Sequence, residues 1–294
     1  MIRRTFQTLT VAVLFSTNIA DSAQAESETY PNAHLLVDAS ELAQTSGELD
    51  RVILDIRSAK EFNSGHIPGA MQLDPNAVVE PGGPIDGDLR PISEISDLLG
   101  NIGIDSATEV ILYDDRGGFH AARMFWLLEY LGHKNVRLLN GGLEAWREVE
   151  QDLTTDETRI PMPKRFVPAI AARRAASADW ILERQHDENV EVLDVRPGSI
   201  FEQGHIPWAT NLPWAQNLNA AGSFRPAAEL RVHFEAAGVD WDDRVVVHCQ
   251  NGLASSHSYV ALRLLGHPNV RTYHRSWAEW GDDKMLPSAT GSDG

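Results

Sequence analysis

Arg244-Val245-Val246-Val247-His248-Cys249-Gln250-Asn251-Gly252-Leu253-Ala254-Ser255-Ser256 begins as a β-branched run, ends that run on a cysteine, and continues through a loop of small and polar residues. The segment that follows, Tyr259-Val260-Ala261-Leu262-Arg263-Leu264-Leu265, reads as a helix. A thiol is therefore placed where a strand hands over to a helix. Loop N–H groups and a helix N-terminus stabilise an anion at such a point, which favours the thiolate. A buried structural role is the common alternative for a free cysteine. The Gly-containing, small-residue surroundings of Cys249 favour a reactive one.

Cys249 is the only cysteine, so no internal disulfide can form. A length of 294 residues suggests about two domains. The net charge of −17 makes nucleic acid and anionic membrane surfaces poor partners, and an anionic substrate needs a local site to overcome that field. Arg3-Arg4, the short apolar stretch from Leu9 to Ala20 and the small-x-small Ala23-Gln24-Ala25 make residues 1–25 an expected export signal peptide, with the Sec and twin-arginine routes both open. The mature chain would then carry about −18, lack a membrane span, and be periplasmic or secreted. A lone thiol kept in an oxidising compartment needs a reason, which again favours reactivity.

The chain repeats itself. Leu54-Asp55-Ile56-Arg57 and the later Phe62-Asn63-Ser64-Gly65-His66-Ile67-Pro68 match Leu193-Asp194-Val195-Arg196 and Phe201-Glu202-Gln203-Gly204-His205-Ile206-Pro207 at a constant offset of 139 residues. Tyr130 to Arg137 match Leu264 to Arg271, and Trp146 matches Trp280, at an offset of 134. The period is too long for a solenoid and indicates a duplicated globular domain. The copies are expected at 34–149 and 177–294, joined by a linker over 150–176 that holds Pro161, Pro163 and Pro168. Val52 to Ile56, Val110 to Tyr113, Val190 to Val195 and Arg244 to Val247 read as buried strands. Arg123 to Leu131, Trp180 to Leu182 and Leu230 to Ala237 read as helical. This alternation predicts an α/β fold, each copy a mainly parallel sheet with helices on both faces. Ligands of such sheets bind at the carboxyl ends of strands, where Cys249 lies.

Aligning Val110 to Gly118 with the Cys249 segment sets Gly117 on Gly252 and Asp114 on Cys249. One copy carries a nucleophile, and the other is expected to keep architecture alone. A role for Asp114 as acid or base partner of Cys249 is disfavoured, because equivalent positions of two packed domains need not face each other.

Phe62-x-x-x-His66-Ile67-Pro68-Gly69-Ala70, Cys249-x-x-Gly252 and Ser276-Trp277-Ala278-Glu279-Trp280 together resemble the tandem-domain rhodanese, or sulfurtransferase, family over nearly the whole mature chain. Asp114 resembles the Asp common in that family's inactive first copy. The resemblance implies two rhodanese-like domains with the second one active, near the domain interface. It implies ping-pong transfer of sulfane sulfur from thiosulfate or 3-mercaptopyruvate, through a Cys249 persulfide, to a thiol or cyanide acceptor. No metal or organic cofactor is required. Backbone N–H groups across Gln250, Asn251, Gly252, Leu253, Ala254 and Ser255 would cradle the sulfur anions.

Several residues depart from the family pattern. Gln250-Asn251 replace the cationic residues of thiosulfate-type loops and the Gly-Ser of mercaptopyruvate-type loops, and Ala254 replaces the latter's Thr. Ile200 stands where many members place a substrate-binding Arg, Trp208 replaces a Gly, and His274-Arg275 replace Asp-Gly. These changes leave the donor open. A protein persulfide donor or acceptor becomes plausible, and an exported sulfur carrier with little turnover on small donors is the alternative reading.

Asp194 and Arg196 either line the site or brace the strand end as an ion pair; their repetition as Asp55 and Arg57 favours the brace. His66 and His205 are repeated turn residues, and the remaining histidines lack metal-ligand spacing. Trp208, Trp277 and Trp280 could form an apolar wall, although Trp146 as counterpart of Trp280 argues for core packing. Gln250 and Asn251, unique to the active copy, are candidates for substrate or partner contact. His248-Cys249 also opens a His-Cys-x5-Arg phosphatase loop, but Ser255 occupies the place of the phosphate-clamping Arg.

Overall fold

A computed structural model describes residues 29–45 and 50–291, so the expected signal peptide lies outside the described residues. Strands β1 (Leu36–Val37), β2 (Arg51–Asp55), β3 (Ala70–Gln72), β4 (Glu109–Tyr113) and β5 (Val136–Leu139) form one sheet in the order β1-β5-β4-β2-β3. Strands β6 (Val190–Asp194), β7 (Thr210–Asn211), β8 (Arg244–His248) and β9 (Val270–Thr272) form a second in the order β7-β6-β8-β9. Every strand pairing is parallel. An isolated parallel bridge, Ala175 to Thr272, flanks β9 as β1 flanks β5.

Side chains of a strand alternate between faces, so a sheet covered on both sides needs apolar residues at every position. Here Val110 and Leu112 enter one core while Ile111 and Tyr113 enter another. In the second sheet Val245 and Val247 face the first core and Val246 a third. The predicted α/β class with parallel sheets is the one found. The strands lie within a residue or two of the sequence expectation.

The first of these cores is shared by the two domains. Helix Ala121–Tyr130, which follows the Asp114 loop, packs against helix Leu253–Leu264, which follows the Cys249 loop. Both are buried on nearly every face, as helices sandwiched between two sheets must be. Glu129 within that seam is paired across it, accepting from Arg263 Nη2 at 2.9 Å and from Tyr259 Oη at 2.5 Å.

The 150–176 region runs as a strap along the first domain. Phe166 is buried, Lys164 N–H donates to the Gly100 carbonyl, and Ala169 and Ala171 N–H donate to Leu131 and Tyr130 carbonyls. At the other end Asn32 donates through its N–H to Leu264 and through its side chain to Arg263, fastening the chain ahead of the first domain onto the second.

Candidate active site

Cys249 follows β8 directly and is 2% exposed. Gly252, at a φ of 92° that suits glycine, turns the chain so that its own N–H points at Sγ, 3.2 Å away. The Ser255 hydroxyl lies 3.6 Å from Sγ. The N–H groups of Gln250, Asn251, Leu253, Ala254 and Ser255 have no backbone acceptor among the described residues.

The twin loop shows what such a turn can hold. The Asp114 carboxylate accepts from the N–H groups of Arg116 at 2.8 Å, Gly118 at 2.8 Å, His120 at 2.7 Å and Ala121 at 3.0 Å. An anion thus fills the first copy's turn. The Asp114 carboxylate is consumed inside its own loop, and among the described residues it has no hydrogen bond with Cys249.

A second turn backs each loop. Trp277 N–H donates to the Cys249 carbonyl at 3.1 Å, and Leu143 N–H to the Asp114 carbonyl at 2.9 Å. Ser276 has a left-handed φ of 53°, where the first copy has Gly142 at 59°. A non-glycine residue pays for that conformation with about 1–2 kcal/mol. The Ser276 hydroxyl accepts the Cys249 N–H at 3.0 Å and donates to the Tyr273 carbonyl at 2.7 Å, which gives the strained serine a task glycine could not perform.

Each domain also braces the other's loop. Arg123, on the first domain's helix, donates from Nη1 to the Asn251 carbonyl at 2.7 Å and from Nη2 to the Gly87 carbonyl. His257, on the second domain's helix, bonds through Nε2 to the Gly117 carbonyl at 3.0 Å. The two residues are related by the repeat offset of 134. Burial pushes His257 down to about 4, so at neutral pH it braces as an uncharged ring. Burial also lowers the Arg123 pKa, while the charges of Cys249, Asp86 and Asp88 act against that shift. No carboxylate pairs with Arg123 among the described residues. The first copy thus places a buried cation beneath the Cys249 loop.

The first domain closes over the loop from a second direction. Asn251 Nδ2 donates to Asp86 Oδ2 at 2.8 Å, and a Cβ on Gly87 would sit 2.3 Å from the Asn251 carbonyl oxygen. Asp88 pairs with Arg275 at 2.7 Å and contacts His274 at 3.3 Å. The hydrogen bond from His274, then that from Arg275, hold the Asp88 carboxyl well below its usual range. A cleft of about 770 Å³ opens beside Gln250, the residue after Cys249, lined among others by Glu80, Asp86, Arg90, Trp277 and Asp282. Gln250 faces it, whereas Asn251 is spent on the domain contact.

Arg196 reaches Asp194 at 2.5 Å and the Gly204 carbonyl at 2.7 Å. Arg57 repeats this with Asp55 at 2.5 Å and the Gly65 carbonyl at 2.9 Å. Both pairs brace a strand end, and Arg196 touches the site only by lying over the Trp277 ring at 4.7 Å. His66 and His205 stack on Phe62 and Phe201 and bond their carbonyls, as turn residues do. Trp280 is core, with Trp208 packed edge-on against it, and Ile200 is 40% exposed. Among the described residues no group of three or more His, Cys, Asp or Glu is arranged to hold a metal ion.

Sequence reasoning missed Arg123, Ser276 and Asp88. Arg123 was absorbed into an apolar helix and Ser276 into a motif. The offset pairing Arg123 with His257 and Ser276 with Gly142 was the available signal.

Duplicated parallel α/β domains, with a cysteine turn in one copy and a carboxylate turn in the other, define a tandem-domain class of protein. The family model for the Rhodanese-like domain matches residues 38–149 and 177–283, and the chain belongs to the rhodanese family as a tandem-domain member. It is 35% identical to the sulfur carrier protein TtuD of Thermus thermophilus, over 79% of this chain and 88% of that protein. It is 31% identical to a thiosulfate sulfurtransferase of Pseudomonas aeruginosa, over 86% and 96%. The fold is similar to that of the Escherichia coli 3-mercaptopyruvate sulfotransferase SseA, with a TM-score of 0.76 at 27% identity, over 83% of this chain and 98% of that one.

Proposed function

We propose that the chain is a sulfurtransferase that moves a sulfane sulfur from thiosulfate or 3-mercaptopyruvate to a thiophilic acceptor through a persulfide on Cys249. The observation that carries this reading is the Asp114 turn. A carboxylate oxygen lies one bond beyond Cγ, as the outer sulfur of a persulfide lies one bond beyond Sγ. Four N–H groups hold that oxygen pair in the first copy. In the second copy Gly252 N–H already addresses Sγ, and its neighbours are unengaged by backbone, ready for an outer sulfur anion.

In the first half-reaction the Cys249 thiolate attacks the outer sulfur of thiosulfate, the S–S bond breaks, and sulfite leaves with the bonding pair. With 3-mercaptopyruvate the C–S bond breaks and pyruvate leaves as its enolate, which then takes a proton. In the second, an acceptor thiolate or cyanide attacks the persulfide's outer sulfur, and the Cys249 thiolate is the leaving group. Arg123 supplies a fixed positive charge behind the loop throughout. Purified protein treated with either donor should gain the mass of one sulfur, and cyanide should remove it. No gain with either donor defeats the small-donor reading.

A second reading, a sulfur carrier served by a protein donor, is favoured by the cleft. Glu80, Asp86 and Asp282 outnumber Arg90 there, which opposes a doubly charged donor. The relative with 35% identity named as a sulfur carrier supports the same reading. Export by a signal peptide over 1–25, giving a periplasmic or secreted protein, is part of the proposal. N-terminal sequencing of the mature protein tests it, and an uncleaved Met1 on the exported protein would refute it.

A further inference from the structure

A cavity of about 260 Å³ lies at the domain seam and shares no lining residue with the cleft beside Gln250. Both domains and the strap contribute to it. Lys134 and His133 come from the loop after helix Ala121–Tyr130, Arg173 and Arg174 from the 3-10 turn Ala172–Arg174, and Arg263 from helix Leu253–Leu264. Among the described residues Glu129 is the only acid lining it.

Glu129 is already committed, since Arg263 grips both its oxygens at 3.0 and 2.9 Å and Tyr259 donates to it. Lys134, Arg173 and Arg174 form no ion pair among the described residues. Arg174 is 8% exposed; its guanidinium lies over the Tyr259 ring at 5.9 Å but makes no hydrogen bond among the described residues, and its buried Nη1 has no hydrogen-bond partner. The buried Nδ1 of His133 is likewise unpartnered. Burial, together with the charges of Arg263 and Arg173, lowers the Arg174 pKa, against the pull of Tyr259 and Glu129. A buried guanidinium with idle donors is costly unless an acceptor completes it.

In a chain of net charge −17, this concentration of unneutralised cations is a local reversal of sign. We propose that the cavity is a binding site for a small tetrahedral oxyanion. Its oxygens would accept from the Arg174 fork and meet the charges of Lys134 and Arg173, a geometry that planar guanidinium groups match. The volume admits one such ion with a few waters. Because the cavity is walled by both domains and the strap, occupancy fastens the seam between the helices behind the two loops.

Titration calorimetry of the full chain with sodium sulfate and with sodium phosphate, against sodium chloride at equal ionic strength, tests this. One saturable site is expected. Binding of both anions identifies a general tetrahedral oxyanion site, and binding of sulfate alone a site for sulfur oxyanions. The exposed pair of substitutions Lys134→Gln and Arg173→Gln should weaken binding at least tenfold, while Arg90→Gln in the other cleft should leave it unchanged. Arg174→Gln should abolish it, and the exposed pair serves if that variant does not fold. No saturable heat with either anion, or affinity indifferent to the Lys134 and Arg173 substitutions, overturns the proposal.

Discussion

Arg123→Met is the substitution that most directly asks what the silent domain contributes. Methionine keeps helix propensity and much of the volume, and removes both donors. Each hydrogen bond from a charged donor contributes about 1.5–3 kcal/mol. Removing a buried guanidinium also relieves a desolvation penalty of several kcal/mol, so the two effects on global stability oppose one another. The melting temperature should therefore shift by only a few degrees. The Asn251 carbonyl, however, loses its anchor, and with it the loop that aims Gly252 at Sγ. If one such bond holds the reactive geometry, transfer should slow roughly 10- to 100-fold at about 1.4 kcal/mol per decade. Arg123→Lys, which keeps charge but not the fork, should fall between. The assay is the rate of persulfide formation and of cyanide discharge, measured beside thermal unfolding. An Arg123→Met protein with a lowered melting temperature and wild-type rates would refute cross-domain bracing of the reactive loop and reduce Arg123 to interface packing.

Ser276→Gly should relieve about 1–2 kcal/mol of backbone strain yet slow transfer, since it deletes the hydroxyl that receives the Cys249 N–H; unfolding curves beside transfer rates check this, and an unslowed variant counts against the role. Asp114→Ala strands the N–H groups gathered on one carboxylate and should cost about 2–4 kcal/mol in urea unfolding, with persulfide formation at Cys249 within a few-fold of wild type. His257 has a pKa of about 4 in the folded chain against 6.5 as its ordinary value. The unfolded chain then binds the proton more readily, so stability is full above pH 6.5 and falls as the pH drops towards 4, by about 3 kcal/mol in all. His257→Gln should flatten that acid slope relative to wild type, and identical slopes would remove His257 as its source.

What the sequence makes legible is whatever is periodic. Alternating apolar runs ending in small-residue turns reveal the strands, and the repeat at two offsets reveals the duplication. Cys249 stands out because composition isolates it and Asp114 because alignment does. Arg123 does not, because Ala121-Ala122-Arg123-Met124-Phe125 looks like one more amphipathic helix until the other domain is laid against it. The strap over 150–176 reads as a linker because prolines mark an extended chain without saying what it lies on. Ser276 is hidden for a third reason: positive φ is a backbone property that no side chain other than glycine or asparagine advertises.

The reciprocal contacts of Arg123 and His257 bear on how such a duplication can change hands. Two daughter copies begin interchangeable, and at that stage exchanging a single residue is enough to move chemistry from one to the other. Here a charged donor stands behind the cysteine and a neutral one behind the aspartate, each encoded in the opposite copy. Moving the thiol to position 114 would leave it facing a ring that stays uncharged at neutral pH. The location of the reactive sulfur is thus recorded twice, and the second record is kept by its neighbour.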